Sequence, residues 1–282
     1  MNRHFLSLAA LLTIGIIGCN SNAPKDANQM VGQTKDTLSG KINEEAEFQF
    51  DLTISNIPAP YNLMENLAQA GITYNKDLLN PTSNADKYTV TSKKALAFGV
   101  YNVDLGYLAV YNQNQDVINY FVQARKLAKD LGAGPYFDEI SGDIKLDKSL
   151  GNKDQVLSIL DKAYTASDKY LKNNQRLVAA TLMLVGGWIE SQYVTLNSIK
   201  DQARNPKNET IYKKVWEQRG HLANIIKLLE ELKSEDGVAD VLAGLKDVEP
   251  SYKELSQETD LTKEKVQGMV AKVTTLRNKT IQ

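Results

Sequence analysis

Two acidic side chains lie inside otherwise apolar stretches of the chain, where a carboxyl group could take part in acid–base chemistry. Asp104 occurs in "AFGVYNVDLGYLAVY", residues 97–111, and Glu190 occurs in "LVGGWIESQYV", residues 184–194. Two carboxyl groups held in different environments can act as a general acid and a general base. The two acids are therefore the first candidates for catalysis or for a polar binding pocket.

Aromatic residues accompany both acids at spacings that a helix would bring together. Tyr101 precedes Asp104 by three residues, and Tyr193 follows Glu190 by three. Residues three or four apart are neighbours on a helix surface. The candidate polar cluster comprises Tyr101, Asp104, Tyr111, Trp188, Glu190 and Tyr193.

Three interpretations of this cluster compete. The favoured one is structural, with both acids hydrogen-bonded inside the fold to tyrosine hydroxyls or backbone groups, because an unpaired buried acid costs several kcal/mol. The second is a ligand pocket. The third is a hydrolase, which would need Asp104 and Glu190 to face each other across a solvent-open cleft. The adjacent glycines Gly186 and Gly187 add an expectation of close approach, by a neighbouring helix backbone or by a ligand.

No other pattern in the chain predicts a catalytic, metal or cofactor site. The chain has one cysteine and two histidines, and His221 is more typical of a structural residue than of a catalytic one. Phosphate-binding, dinucleotide-binding and nucleophile motifs are absent from the sequence. The acid-rich stretch 138–154 has no calcium-loop spacing, which favours a solvated loop. Lys and Arg number 33 against 34 Asp and Glu, so nothing predicts a nucleic-acid partner.

Helices must position the candidate cluster. Apolar residues recur at three- and four-residue steps after Pro60, as in Leu96, Val100, Val103, Tyr107 and Val110. The pattern predicts an all-α fold, an antiparallel helical bundle or helical-pair array of about seven to eight helices. A single tetratricopeptide-like unit without a second copy makes a true repeat protein the less favoured alternative. The predicted helices cover 61–71, 85–111, 115–131, 154–172, 175–203, 209–232, 237–256 and 262–279.

The residues before Pro60 have a different character. Residues 19–46 are polar and lack an apolar stripe, which predicts a flexible tether. Residues 47–54, "EFQFDLTI", alternate between polar and apolar types, which predicts one short extended segment laid across the helices. The helical domain is thus expected to span 47–282, with a candidate sub-boundary near 204–208.

The N-terminus has the pattern of a cleaved export signal. Arg3 precedes an apolar run of residues 5–17, which is too short to cross a bilayer permanently, and small Gly18 stands directly before Cys19. "GIIGCNS" resembles the signal of bacterial lipoproteins. That resemblance implies that residues 1–18 are removed and that Cys19 is lipidated, so the partner here is a membrane reached through an N-terminal lipid.

The middle of the chain also resembles uncharacterised helical lipoproteins of Bacteroidota-type bacteria. The residues that carry this resemblance are "KALAFGVYNVDLGYLAVYNQNQ", "AKDLG" and "GGWIESQYV". It implies a cell-envelope location and a helical fold, and it implies no activity. Asn20 after the cysteine, where aspartate resembles an inner-membrane retention signal, favours the outer membrane; the face of that membrane stays open.

The sequence leaves three functions to compare. The first is a lipid-anchored envelope module without catalytic activity that binds a partner protein or acts as a scaffold. The second is a small-solute-binding lipoprotein with a Tyr/Asp/Glu pocket between the two long helices, its ligand unidentified. The third and weakest is the hydrolase with paired carboxylates. An enclosed pocket with convergent polar groups would favour the second, and an exposed apolar groove the first.

Overall fold

The computed structural model describes residues 44–59, 61–135, 137–138, 152–173 and 176–281. The proposed signal peptide 1–18, the lipidation site Cys19, residues 19–43 of the predicted tether and residues 139–151 of the acid-rich stretch lie outside this part of the chain. The predictions made for them stay predictions. The tether prediction is wrong for its last residues, 44–46, which are helical because Ala46 is buried against the rest of the fold.

The described part of the chain is an all-α helical bundle, as the apolar periodicity predicts. It holds nine α-helices and three short 3₁₀ helices, the latter at Lys76–Leu78, Thr82–Lys87 and Glu258–Asp260. The α-helices are α1 (Glu44–Asn56), α2 (Tyr61–Gln69), α3 (Thr91–Val110), α4 (Asn114–Asp130), α5 (Lys153–Asn173), α6 (Leu177–Ile199), α7 (Glu209–Glu231), α8 (Val238–Lys253) and α9 (Lys263–Ile281).

Helices α3 and α6 form the centre of the bundle and pack most extensively against each other. Helices α2, α4 and α5 pack on α3, while α9 packs on α6 and α8 bridges α7 and α9. The predicted apolar stripe of α3 is buried, since none of its members is more than 5% exposed. Helix α6 is buried along most of its length and is therefore a core element as well.

The glycines of α6 permit this close packing. A Cβ atom on Gly186 would lie 2.1 Å from the carbonyl oxygen of Leu96 in α3. A Cβ atom on Gly99 of α3 would lie 2.0 Å from the carbonyl oxygen of Met183 and 2.6 Å from the amide nitrogen of Gly187. Both distances are far below van der Waals contact, so the predicted close approach is between two helix backbones.

Helix α6 is also the one described helix long and apolar enough to cross a membrane by length and composition. Within its most apolar window, 94% of the residues are buried by the rest of the fold. A helix surrounded on all sides by other helices is expected to be hydrophobic all round. Burial in the bundle therefore accounts for its composition.

The extended segment predicted at 47–54 is wrong, because these residues form most of α1. The alternation of Phe48, Phe50, Leu52 and Ile54 conceals a second periodicity, in which Ala46, Gln49, Phe50 and Thr53 recur at three- and four-residue steps and are buried. Helix α1 presents this face mainly to α7. Phe48 and Leu52, counted as inward in a strand, are 59% and 41% exposed.

Two further boundaries differ from the prediction. The helix expected from residue 85 begins at Thr91, because Thr82–Lys87 forms a separate 3₁₀ helix and residues 88–90 are extended or bent. Residues 204–208, where a sub-boundary was considered, lie within the same compact unit as the other described residues. There Arg204 pairs with Glu209 and donates 2.7 Å to the carbonyl of Glu258.

Candidate functional site

An ion pair in the centre of the bundle joins Glu190 of α6 to Arg277 of α9. Arg277 donates from Nε to Oε2 at 2.6 Å and from Nη2 to Oε1 at 2.7 Å, which is the bidentate geometry of a strong charge-assisted pair. The Glu190 side chain is fully buried and that of Arg277 is 8% exposed. The guanidinium carbon also lies 4.1 Å from the centre of the Tyr193 ring, a cation–π contact.

Asp104 of α3 lies beside this ion pair and is fully buried. Its Oδ2 accepts the backbone N–H of Asn80 at 3.1 Å, whereas its Oδ1 has no donor among the described residues. A hydrogen bond between Asp104 and Glu190 requires a proton on one of the two carboxyl groups. We call Asp104, Glu190 and Arg277 the buried charge cluster.

The directions of the pKa shifts indicate which groups of the buried charge cluster are ionised. Burial raises the pKa of Asp104 well above its usual range, and the neighbouring Glu190 raises it further. Burial acts to lower the pKa of Arg277, but the paired Glu190 outweighs burial and raises this pKa overall, so the guanidinium stays charged. A protonated Asp104 can donate a hydrogen bond to the ionised Glu190. The cluster then holds one negative and one positive charge, which avoids the cost of an unpaired buried ion.

The segment between α2 and α3 closes the cluster from one side. Arg277 donates from Nη2 to the carbonyl of Leu78 at 3.3 Å, while Asn80 donates from its side chain to the Tyr88 hydroxyl at 3.0 Å. The Tyr101 hydroxyl donates to the carbonyl of Pro81 at 2.8 Å. The segment is thus tied to α3 and α9 by polar groups that are otherwise shielded from water.

The structure divides the six residues of the predicted cluster among different surroundings. Asp104, Glu190 and Tyr193 meet around Arg277, and Tyr101 lies alongside. Tyr111 donates instead to the carbonyl of Ile72 at 2.8 Å, among other tyrosine rings. Trp188 lies on a different side of α6, where its indole donates to Gln218 at 3.0 Å.

Backbone groups and Arg277, rather than tyrosine hydroxyls, are the partners of the two acids. Both carboxyl groups are 0% exposed, so the pair does not line the solvent-open cleft that the hydrolase hypothesis requires. Both oxygen atoms of Glu190 accept from the guanidinium of Arg277, so the carboxylate is already engaged within the protein. The geometry of this cluster is that of a structural network.

Replacement of Asp104 by asparagine is expected to stabilise the fold at alkaline pH relative to the unmodified protein. Because the folded-state pKa of Asp104 is raised, the folded protein keeps a proton that the unfolded chain releases above about pH 4. Stability therefore falls as the pH rises toward that raised pKa, by up to about 1.4 kcal/mol per pH unit. Asparagine removes this dependence and still offers an N–H to Glu190.

The measurement is urea unfolding of both proteins at about pH 5 and about pH 8. The control is Asp130→Asn, because Asp130 forms a half-exposed ion pair with Lys94 at 2.8 Å. Identical pH dependence in the Asp104→Asn variant and the unmodified protein would show that Asp104 is ionised in the folded state.

A cavity of about 360 Å³ lies on the opposite side of α6 from the buried charge cluster. It is lined by α1, α2, α5, α6 and α7 and by Asn102 of α3. We call it the Trp188 cavity, because Trp188 is the one member of the predicted cluster that lines it. Asn102 and Trp188 each precede a cluster acid by two residues, and residues two apart point to different sides of a helix. One pair of helices therefore positions two separate sites.

The Trp188 cavity contains a buried acid that the sequence analysis did not single out. Asp168 of α5 is 6% exposed, and its Oδ1 has no hydrogen-bond partner in the described part of the chain. Burial raises the pKa of Asp168 to about 7, although Lys172 and Lys169 act in the opposite direction. Tyr164, one turn earlier, lines the same cavity, and burial raises its pKa also.

The polar groups of the cavity wall are unequally satisfied. The side-chain N–H groups of Asn102, Trp188 and Gln218 each donate within the protein, at 2.7, 3.0 and 3.2 Å. The Ser191 hydroxyl donates to the carbonyl of Trp188 at 2.9 Å. In contrast, Asn102 Oδ1 and Asp168 Oδ1 accept nothing. Both of these unpartnered buried atoms are acceptors.

Three important residues were missed by the sequence analysis, two of which carried a detectable signal. Arg277 follows Val273 by four residues and so falls on the apolar stripe of α9, where a buried cation implies a buried acid. Asp168 similarly follows Leu160 by eight residues on the inward stripe of α5. Asn80 gave no such signal, because it lies outside any periodic segment.

Among the described residues, no group of three or more His, Cys, Asp or Glu side chains is placed to hold a metal ion. Comparisons of the chain with protein-family models, with curated proteins and with solved structures found no match in any of the three. The function proposed below is therefore inferred from the sequence and from the geometry of the described residues.

Proposed function

We propose that this protein is a non-enzymatic, lipid-anchored protein of the bacterial cell envelope that binds a small organic molecule in the Trp188 cavity. The observation that carries the proposal is this cavity of about 360 Å³ with a largely apolar wall and a few inward polar groups. Small-molecule sites have this character, and their volumes start at about 300 Å³. The lipoprotein-like N-terminus supports the location, with the outer membrane as the favoured membrane.

The position of the cavity in the bundle supports a binding role. Its inner wall is built by Leu184, Trp188 and Ser191 of the central helix α6, and its outer wall comes from surrounding helices. A rigid inner wall holds polar groups in fixed positions, which lowers the ordering cost of binding. This proposal differs from the pocket predicted between the two long helices, because Trp188 is the one residue of the predicted polar cluster that lines the cavity.

The hypothesis that the protein binds a partner protein has less support, because little exposed apolar surface is found in the described part of the chain. The large apolar side chains that are exposed in the described part of the chain are Phe48, Leu52, Val90 and Val122. Only Phe48 and Leu52 are one helical turn apart, and two side chains make a small patch compared with typical protein interfaces. Crosslinking in intact envelopes would identify a protein partner if that patch binds one.

Filling the mouth of the cavity is expected to abolish binding without unfolding the protein. Thr165 is exposed on α5 and lines the cavity, so the Thr165→Phe substitution adds a bulky ring there at little cost to the core. The measurement is a thermal-shift and calorimetric screen of a chemically diverse small-molecule panel against the full chain. Ligands of the cavity are expected to lose at least about tenfold in affinity in the variant.

The matched control is Ser158→Phe, which places the same ring at an exposed position of α5 away from the cavity. It is expected to leave every ligand affinity unchanged. A panel in which no compound binds, or in which all bound compounds are insensitive to Thr165→Phe, would contradict the proposed function.

A further inference from the structure

The chemistry of the cavity wall identifies a class of ligand, and this inference rests on the proposed function. Asp168 is 94% buried by the fold, since only 6% of its surface is exposed, and it has an oxygen atom without a donor. An acceptor that is shielded from water and unpartnered costs free energy, which a donor on a ligand would recover. The unpartnered oxygen atom of Asp168 therefore favours a ligand with N–H or O–H groups.

A second acceptor points to the same kind of ligand. Asn102 turns its amide nitrogen back to the carbonyl of Phe98 at 2.7 Å, which leaves its Oδ1 buried without a partner. Asn102 lies on α3 and Asp168 on α5, so two residues that each carry an unpartnered acceptor line this cavity from different helices. Two acceptors suit a group that carries several N–H donors.

The charges around the cavity favour a cation. Two lysines line the cavity. Lys214 forms an ion pair with Glu217 at 2.8 Å, and Lys169 is exposed to solvent. Asp168 is the most deeply buried charged group of the wall. Three aromatic side chains complete the wall and can contact an apolar body or the face of a cation: Tyr61, Tyr164 and Trp188.

We infer that the Trp188 cavity binds a primary or secondary organic ammonium ion with an aromatic or alkyl body. The ammonium N–H groups donate to the Asp168 carboxyl group, with the side-chain carbonyl of Asn102 as a second acceptor, and the apolar body lies among the aromatic side chains. A carboxylate or phosphate placed against Asp168 would meet a second acidic group instead of a donor. A quaternary ammonium would satisfy the charge of Asp168 but would leave both acceptors without a hydrogen bond.

The test is isothermal titration calorimetry of the full chain with four matched probes. These are phenethylamine, its alcohol analogue phenethyl alcohol, its acid analogue hydrocinnamate, and phenethyltrimethylammonium. Phenethylamine is expected to bind roughly 10- to 100-fold more tightly than the alcohol, since a hydrogen bond to a charged group is worth that factor. Hydrocinnamate and the quaternary ion are expected to bind more weakly than phenethylamine.

The variant Asp168→Asn isolates the role of the carboxylate. It keeps the shape of the side chain and is expected to weaken phenethylamine binding roughly 10- to 100-fold, with phenethyl alcohol unchanged. Asp161→Asn is the matched control, because Asp161 lines the cavity from the same helix but is exposed. There the expected change is below about threefold, since an exposed charge is screened by water and salt.

Affinity for phenethylamine is also expected to be about tenfold weaker at pH 6 than at pH 8, because Asp168 with a pKa of about 7 must be ionised to bind the cation. Other charged or titratable groups near Asp168 could also make the affinity depend on pH. Those groups are Lys169, Lys172 and Tyr164 on the same helix, Asp51 on α1, Tyr61 on α2 and Lys214 on α7. The dependence should therefore disappear in Asp168→Asn.

Equal binding of the amine and the alcohol by the unmodified chain would overturn this inference, and that comparison needs no variant to fold. If other compounds still bind in a manner sensitive to Thr165→Phe, the proposed function survives and only the ligand class is wrong. If no compound binds at the cavity, the proposed function and the ligand class are both wrong.

Discussion

Replacement of Arg277 by methionine is expected to lower the free energy of unfolding by about 3–5 kcal/mol, which is the usual cost of removing one partner from a buried ion pair. Methionine fills much of the same volume but leaves the Glu190 carboxylate without its two donors. The carbonyl of Leu78 loses its donor as well. Urea unfolding monitored by circular dichroism measures the change.

Two further variants separate the buried charge from side-chain size. Arg125→Met is the matched control, because the Arg125 side chain is 57% exposed in its pair with Asp138, and a surface pair is worth about 1 kcal/mol or less. The double variant Glu190→Gln/Arg277→Met is expected to be more stable than Arg277→Met alone, because it removes the stranded charge. Equal losses for Arg277→Met and Arg125→Met would show that the cluster does not stabilise the fold.

Replacement of Gly186 by alanine is expected to destabilise the protein by more than about 2 kcal/mol, because overpacking of a rigid interface forces backbone movement. The added Cβ would lie 2.1 Å from the carbonyl oxygen of Leu96 and 2.8 Å from its carbonyl carbon. These are backbone atoms of α3, so no side-chain rotation relieves the clash. Thermal and urea unfolding should both report the loss.

The control substitutions, at glycines with free space around them, are expected to raise stability instead of lowering it. Gly220 in α7 and Gly268 in α9 have no atom within 4 Å of an added Cβ. Alanine at either position is expected to stabilise the protein by about 0.5–1 kcal/mol, since alanine is the better helix former. A Gly186→Ala variant that behaves like Gly220→Ala would show that α3 and α6 have room to separate.

The contact between Gly186 and α3 also affects the geometry of the buried charge cluster and of the Trp188 cavity. Asn102 and Asp104 of α3 lie within two turns of the crossing with α6, as do Trp188 and Glu190 of α6. An alanine that pushes the helices apart would therefore alter the buried charge cluster and the Trp188 cavity together. Loss of ligand binding in Gly186→Ala would accompany its loss of stability.

Most of the helices could be predicted from the sequence because each one carries its own apolar periodicity. The stripe of α7, which includes Val215, Leu222, Ile225 and Leu229, is entirely buried as predicted. Helix α1 could not be assigned this way. In eight residues, the alternation around Phe50 fits a strand and a helix equally well, and only packing against α7 decides between them.

The candidate sites were less predictable than the helices, because each depends on residues far apart in the chain. Asp104 and Glu190 were identified as acids on buried faces, but their distant partner Arg277 is contributed by the last helix. The cavity depends on residues from six helices and on a gap between their side chains. No local sequence pattern predicts such a gap, since its size depends on how side chains from several helices pack together.

The apolar side of each helix and most helix boundaries could be predicted from the amino-acid sequence, because these properties depend on residues within a few turns of each other. The two adjacent glycines predicted a close approach, by a helix backbone or by a ligand. The lipid anchor at Cys19 and the envelope location remain predictions from the N-terminal residues. Only the tertiary structure decided that Asp104 and Glu190 share a cluster with Arg277 while Trp188 faces a cavity. The reason is physical: a sequence sets the direction of a side chain relative to its own helix, but packing of the other helices sets what that side chain meets.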